Sequence, residues 1–233
     1  MKRLLCFLLC LALLGQPALA LEPALDAGAA AIASLARRPE LWVYDYSRPV
    51  PQRPAVEDSA FANSLFMGNS LGEGFRLYSG LGTGFYETAV GMTASSALSR
   101  AGAAAGRDRV YLVLGINEIG QGAGAVAEQY GLLIDRLREA EPQAGIYVQS
   151  LLPVCESMLT AAQRSWHITN AHIDELNAAL LERCWEKEVY YLDIHSALVN
   201  DQGGLDREKT WDGVHLTPEA YGIWLAYLRT HVV

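Results

Sequence analysis

With 233 residues and a formal net charge of −8, the chain is long enough for one well-buried domain and too short for two comfortable ones. The acidic balance disfavours nucleic acid or anionic lipid as partners, because neither can be bound by counterion release to an acidic surface. Of the four cysteines, Cys6 and Cys10 fall in the leader described next, leaving Cys155 and Cys184.

Residues 1–20 have the layout of a secretory signal peptide. Lys2 and Arg3 are followed by an apolar run over 4–14 and by Ala18-Leu19-Ala20, a small-x-small cleavage site. The apolar run is too short to anchor in a bilayer, so the mature protein is expected to be exported, with no membrane-spanning segment. Residues 21–37 predict an Ala-rich amphipathic helix. Residues 38–54 hold four prolines and predict an extended lead-in strapped over the domain by Trp42, Tyr44 and Tyr46. Residues 21–60 together are read as this helix and lead-in, and 61–233 as the main domain.

From residue 61 the pattern alternates strand and helix. Strands are predicted at 64–67, 85–90, 110–114, 146–152 and 189–194. Helices are predicted at 71–78, 123–140 and 169–185, with a closing helix opened by Thr217 as N-cap and Pro218 at its first position. Strands this apolar, alternating with helices, imply a parallel sheet of about five strands covered on both faces. Loops leaving the strand C-termini then gather on one edge, where open sheets of this kind bind ligands. Gly68-Asn69-Ser70, Gly115-Ile116-Asn117-Glu118 and the loop from Pro153 all fall there. Cys155 lies on that edge and Cys184 near the far end of the next helix, roughly 20 Å away at 1.5 Å per residue. A disulfide needs Cα atoms within about 7 Å, so two separate thiols are expected. No metal site is expected: there is no CxxC, and His167 and His172 are off the i,i+4 spacing of helical ligands.

Three groups of residues on this edge have the chemistry of a nucleophile and its support. Ser70 stands where a strand gives way to a helix, exposing its hydroxyl to the partial positive charge of the helix start. Taken alone, it reads first as a helix cap. Asp212-Gly213-Val214-His215 precedes the last helix, and an Asp three residues before a His across a glycine can turn back onto one ring nitrogen, leaving the other for the serine. Asp193 and His195 form a rival pair; as alternate residues of a strand they would lie side by side rather than close on each other. Asn117 offers an amide donor for an oxyanion, or else stabilises its own turn.

These blocks, in this order, resemble the GDSL-type (SGNH) hydrolase family: Gly68-Asn69-Ser70-Leu71, a glycine block within 80–93, Gly115-Ile116-Asn117-Glu118 and Asp212-Gly213-Val214-His215. The resemblance spans about 60–232. It implies a flavodoxin-like three-layer α/β/α sandwich and cofactor-free hydrolysis of esters, with Ser70 as nucleophile and one backbone oxyanion donor, Asn117 as amide donor, His215 as base and Asp212 as its orienter. Gly91, after the second strand, is chosen as the second backbone donor over Gly82 and Gly84, which precede that strand at its wrong end. Asn69 and Glu118 depart from the family, which has Asp at both places.

The expected function is an exported serine esterase working through an acyl-enzyme, with a small ester or acylated carbohydrate as substrate, for example an acetylated cell-wall polymer. A lysophospholipase or aryl-esterase is equally compatible, and a non-catalytic carbohydrate- or partner-binding protein on the same scaffold is the reading from another class. Phe75, Tyr78, Phe85, Tyr86, Met92 and Trp166 either line an acyl pocket or pack ordinarily.

Overall fold

The structure is a computed structural model, and it describes residues 44–233. The predicted leader, the 21–37 helix and Trp42 lie outside the described residues. Asp45–Val233 forms a compact unit, so the part of the lead-in from Asp45 onward is packed within it.

Five strands build one sheet: β1 Ser64–Gly68, β2 Phe85–Thr88, β3 Arg109–Val113, β4 Gly145–Gln149 and β5 Tyr190–Leu192, in spatial order β2-β1-β3-β4-β5. Every neighbouring pair is parallel. The order reverses between β1 and β3, the switch point of a flavodoxin-like sheet. The helices are α1 Ser70–Tyr78, α2 Ala94–Ala97, α3 Ala123–Ala140, α4 Ala161–Ser165, α5 Asn170–Lys187, α6 His195–Leu198 and α7 Pro218–Thr230. Helices α1 and α7 pack together, as do α3 and α5. The sequence order explains this split. The chain runs one way from β1 to β2 and the other way from β3 to β5, and right-handed crossovers then put their helices on opposite faces. None of the helices among the described residues is long and apolar enough to cross a membrane.

Register is fixed by an aromatic ladder. Phe66 pairs with Tyr86 on one side and Tyr111 on the other, Tyr111 with Tyr147, and Tyr147 with Tyr190. Their rings stack at centroid spacings of 5.2, 4.9, 4.8 and 4.7 Å, close to the inter-strand repeat itself. Each such pair adds about 0.5–1.5 kcal/mol beyond its burial, and slipping a strand by one residue would turn its ring to the other face. The lead-in closes the ladder: Tyr46 sits 5.4 Å from Tyr190, Val50 is buried and its N–H bonds to Tyr191 O at 2.9 Å.

Three strands are shorter than their apolar runs suggest, each because another partner takes the backbone at one end. After β2 the chain turns at Ala89–Met92, with Met92 N–H bonded to Ala89 O and Gly91 at φ +78°. After β4, Leu151 pairs through both N–H and O with the Asn177 amide, and Val154 does the same with Asn170. Before β5, Val189 N–H belongs to the end of α5, bonding Cys184 O. Cys155 and Cys184 are separate buried thiols.

On the face of α1 and α7 the two helices approach at Gly74. A Cβ there would lie 1.9 Å from the Tyr221 hydroxyl oxygen, and Tyr221 is itself buried. Gly74→Ala is expected to cost about 1–3 kcal/mol as an overpacked core. Gly222→Ala, whose added methyl meets nothing within 4 Å, should instead stabilise α7 by roughly 0.4–1 kcal/mol. Urea denaturation of the two variants checks the contrast.

Candidate active site

The C-terminal edge of the sheet collects the chemistry-bearing residues. Ser70 is the first residue of α1, and the cap is the residue before it: Asn69, fully buried, accepts a hydrogen bond from Leu71 N–H through Oδ1 at 2.9 Å. The capping expected of Ser70 is thus done by its neighbour. Ser70 N–H, one of the first four of the helix, has no intrahelical acceptor. Gly68 makes the close strand-to-helix passage possible, since a Cβ there would meet Val113 Cγ1 at 2.6 Å.

The opposing loop folds on itself between Thr210 and Leu216, which form an antiparallel bridge. Thr210 Oγ1 donates to His215 O and accepts from Gly213 N–H. Gly213 takes φ +95°, and a Cβ would come within 2.9 Å of Cys155 O, so glycine is required at this turn. Asp212 Oδ1 accepts from the N–H groups of Val214 and His215 at 2.9 and 2.8 Å, and its Oδ2 lies 2.7 Å from His215 Nδ1. His215 Nε2 lies 2.9 Å from Ser70 Oγ. Partial burial pushes the Asp212 carboxyl up, but the His215 N–H and imidazole and the Val214 N–H outweigh it, and the pKa falls below its ordinary value. An ionised carboxylate only accepts. Nδ1 therefore carries a ring proton, and in the neutral imidazole Nε2 is the acceptor to which Ser70 Oγ–H donates.

Asn117 projects from the turn after β3, exposed between buried Ile116 and Glu118, and its Nδ2 donates to Met92 O at 3.0 Å. That bond brings the amide against the Ala89–Met92 turn, which is itself tied to the end of β1 through Ala89 N–H to Gly68 O. Ser70, Gly91 and Asn117 thus follow three adjacent strands, β1, β2 and β3. Gly82 and Gly84 lie ahead of β2, at the other edge.

The rival pair is placed otherwise than expected. The strand stops at Leu192, so Asp193 and His195 are not alternate strand residues. Asp193 Oδ1 accepts from Ser196 N–H at 3.3 Å, and His195 faces Asp174 at 3.7 Å and Leu151 O at 3.2 Å. Thr217 holds the cap position of α7 without a side-chain cap bond. Of the six residues considered for an acyl pocket, Phe75 and Met92 are buried and Tyr86 belongs to the ladder, while Tyr78, Phe85 and Trp166 are exposed.

Glu118 has a role that its sequence position did not reveal. Its side chain is buried, Oε1 accepts from Ala94 N–H at 2.6 Å, and Oε2 has no partner among the described residues. It therefore holds the start of α2, three residues beyond Gly91. Among the described residues, no group of three or more His, Cys, Asp or Glu side chains could hold a metal ion.

A doubly wound parallel sheet of this order, with a Ser–His–Asp hydrogen-bond chain on its switch-point edge, defines a hydrolase of the SGNH three-layer type. The chain belongs to the GDSL-like Lipase/Acylhydrolase family, whose model matches residues 66–223. Similar solved structures include a Streptococcus pneumonia protein provisionally described as a platelet activating factor, at 24% identity and TM-score 0.63, with 71% of this chain and 81% of that one covered. A GDSL-like lipase from Bacteroides thetaiotaomicron is 21% identical with TM-score 0.57, covering 73% and 91%. A carbohydrate acetylesterase from Sinorhizobium meliloti is 16% identical with TM-score 0.55, covering 71% and 95%. At these identities the likeness establishes the fold. No curated protein matches the chain.

Burial raises the pKa of the Glu118 carboxyl, partly offset by the Ala94 N–H. Below the ordinary value of 4.5 both folded and unfolded states are protonated and there is no penalty. Above it the unfolded state ionises first, so this residue's contribution to stability falls as pH rises. Glu118→Gln keeps the acceptor and removes the charge. Its thermal midpoint relative to wild type is expected to rise as the pH is raised above the ordinary value of 4.5; a flat difference would contradict the burial argument.

Proposed function

We propose that the protein is a serine esterase in which Ser70 attacks the ester carbonyl, His215 is the base and Asp212 orients it. The single observation that carries this reading is the unbroken chain of hydrogen bonds from Asp212 Oδ2 through His215 to Ser70 Oγ, at 2.7 and 2.9 Å.

As Ser70 Oγ bonds to the carbonyl carbon, its proton passes to His215 Nε2, and the imidazolium is stabilised by Asp212. The oxyanion is held by the N–H groups of Ser70 and Gly91 and by Asn117 Nδ2. When the tetrahedral intermediate collapses, His215 returns the proton to the departing alcohol. A water, deprotonated by His215, then attacks the acyl-enzyme, and release of the acid restores Ser70. Membership of an acylhydrolase family supports this chemistry. A short acyl group on a carbohydrate is the substrate reading, supported by the acidic, non-lipid-seeking charge. Export is part of the same proposal, supported by the signal-peptide layout of residues 1–20.

Turnover of p-nitrophenyl acetate tests the mechanism. Ser70→Ala should fall to the buffer rate, and equal rates in variant and wild type would refute the nucleophile. Asp212→Asn should lose on the order of 10³–10⁴ in kcat and Asn117→Ala on the order of 10²–10³. Asp193→Asn, which keeps an acceptor for Ser196 N–H, should stay within about threefold, since only the orienter should cost orders of magnitude.

A further inference from the structure

Next to the site stands an aromatic side chain that the mechanism does not use. Trp211 directly precedes Asp212, and its N–H bonds to His215 O at 3.0 Å, so its backbone moves with the base. Its side chain is 52% exposed. The ring is nevertheless held in place: it meets Tyr78 edge to face, with centroids 5.2 Å apart and planes at 82°, and Tyr78 stacks in turn on Tyr221 at 6.0 Å. Tyr78 is eight residues along α1 from Ser70, about 12 Å at 1.5 Å per residue. The two rings therefore form a backed, half-open platform within reach of the nucleophile.

The chemistry says which half of the ester would meet it. The carbonyl oxygen must lie towards Gly91 and Asn117, while the leaving alcohol must lie towards His215, which protonates it. Trp211 is on the His215 loop and thus on the alcohol's side. We propose that Trp211, backed by Tyr78, is a stacking subsite for a neutral pyranose ring in the alcohol portion of the ester; this rests on the esterase reading above. A pyranose has one apolar C–H face to lay on the electron-rich face of an indole and a rim of hydroxyls that must stay in water. A half-exposed ring suits both demands. A phenol or an acyl chain would gain most from enclosure, which this platform does not give. The ionised Asp212 beside it opposes an anionic headgroup.

The test compares kcat/KM for acetylated xylo-oligosaccharide, triacetin and p-nitrophenyl acetate, alongside fluorescence titration with unacetylated xylotetraose. In Trp211→Ala the xylo-oligosaccharide-to-triacetin ratio should fall about tenfold, chiefly through KM, and xylotetraose should bind about tenfold more weakly. Trp211→Phe should restore most of both. Tyr78→Ala, which leaves the base loop untouched, should show the same preference in smaller measure. Trp185→Ala, also exposed (58%) but near the far end of α5, is the control and should change neither. An unchanged ratio with unchanged xylotetraose binding would overturn the subsite while leaving the esterase standing. So would a loss on p-nitrophenyl acetate as large as that on the sugar ester. If wild type turned over none of the three esters, the esterase reading would fail on its own, and the xylotetraose titration would still judge the platform.

Discussion

The hydrogen bond between Ser70 and His215 joins residues 145 apart in sequence, and its length depends on how closely two helices approach. Ser70 begins α1, and His215 ends three residues before α7 begins at Pro218. Whatever separates the helices separates Ser70 from His215. At Gly74 the side chain is absent and the Tyr221 ring occupies its place, while Phe75 packs on Trp224 at 5.0 Å one residue further along. The small residue in α1 and the large ones in α7 are two sides of one fit. Trp224 also donates to Gln149 Oε1 at 2.8 Å, which ties α7 to the sheet that carries α1.

The two departures from the family pattern make sense against this frame. Asn69 is completely buried, directly before Ser70. A carboxylate there would be a buried charge, costly unless fully paired, whereas the neutral amide still caps α1. At Glu118 a side chain reaches back to Ala94 and anchors the segment that follows the Gly91 turn. Both substitutions alter support for the site and neither touches the hydrogen-bond chain itself.

Much of this was legible from the residues alone. Apolar strands with helices between them, and the ordered short motifs, pointed to the parallel sheet and to Ser70, Asn117, Asp212 and His215, because strand direction alone decides which loops share an edge. The strand ends were less legible. Nothing local in Leu151 or Val154 announces that Asn177 and Asn170, many residues later, will take their backbone groups from the sheet. The Asp193–His195 geometry was misread for the same reason, since a three-residue β5 leaves both beyond its end. The aromatic ladder did leave a signal: Phe66, Tyr86, Tyr111, Tyr147 and Tyr190 each lie within the first three residues of their strands. Reading it requires the register, and register is a property of pairs of strands.

His215 is held more rigidly than a surface loop would suggest. Its loop is closed internally by Thr210, and Cys155 N–H bonds Gly213 O at 2.9 Å from outside. Cys155 is in turn fixed, because Asn170 holds Val154 and Asn177 holds Leu151, both from α5. The Asp–His turn is thereby referred back through two amide clamps to a helix on the opposite face of the sheet from α1. Ser70 and His215 thus stand at the starts of two helices of one layer, while the loop that carries His215 takes a second support from the other layer. Supporting His215 from both sides makes its alignment part of the fold, so that the proposed mechanism leaves little reorganisation for the moment of reaction.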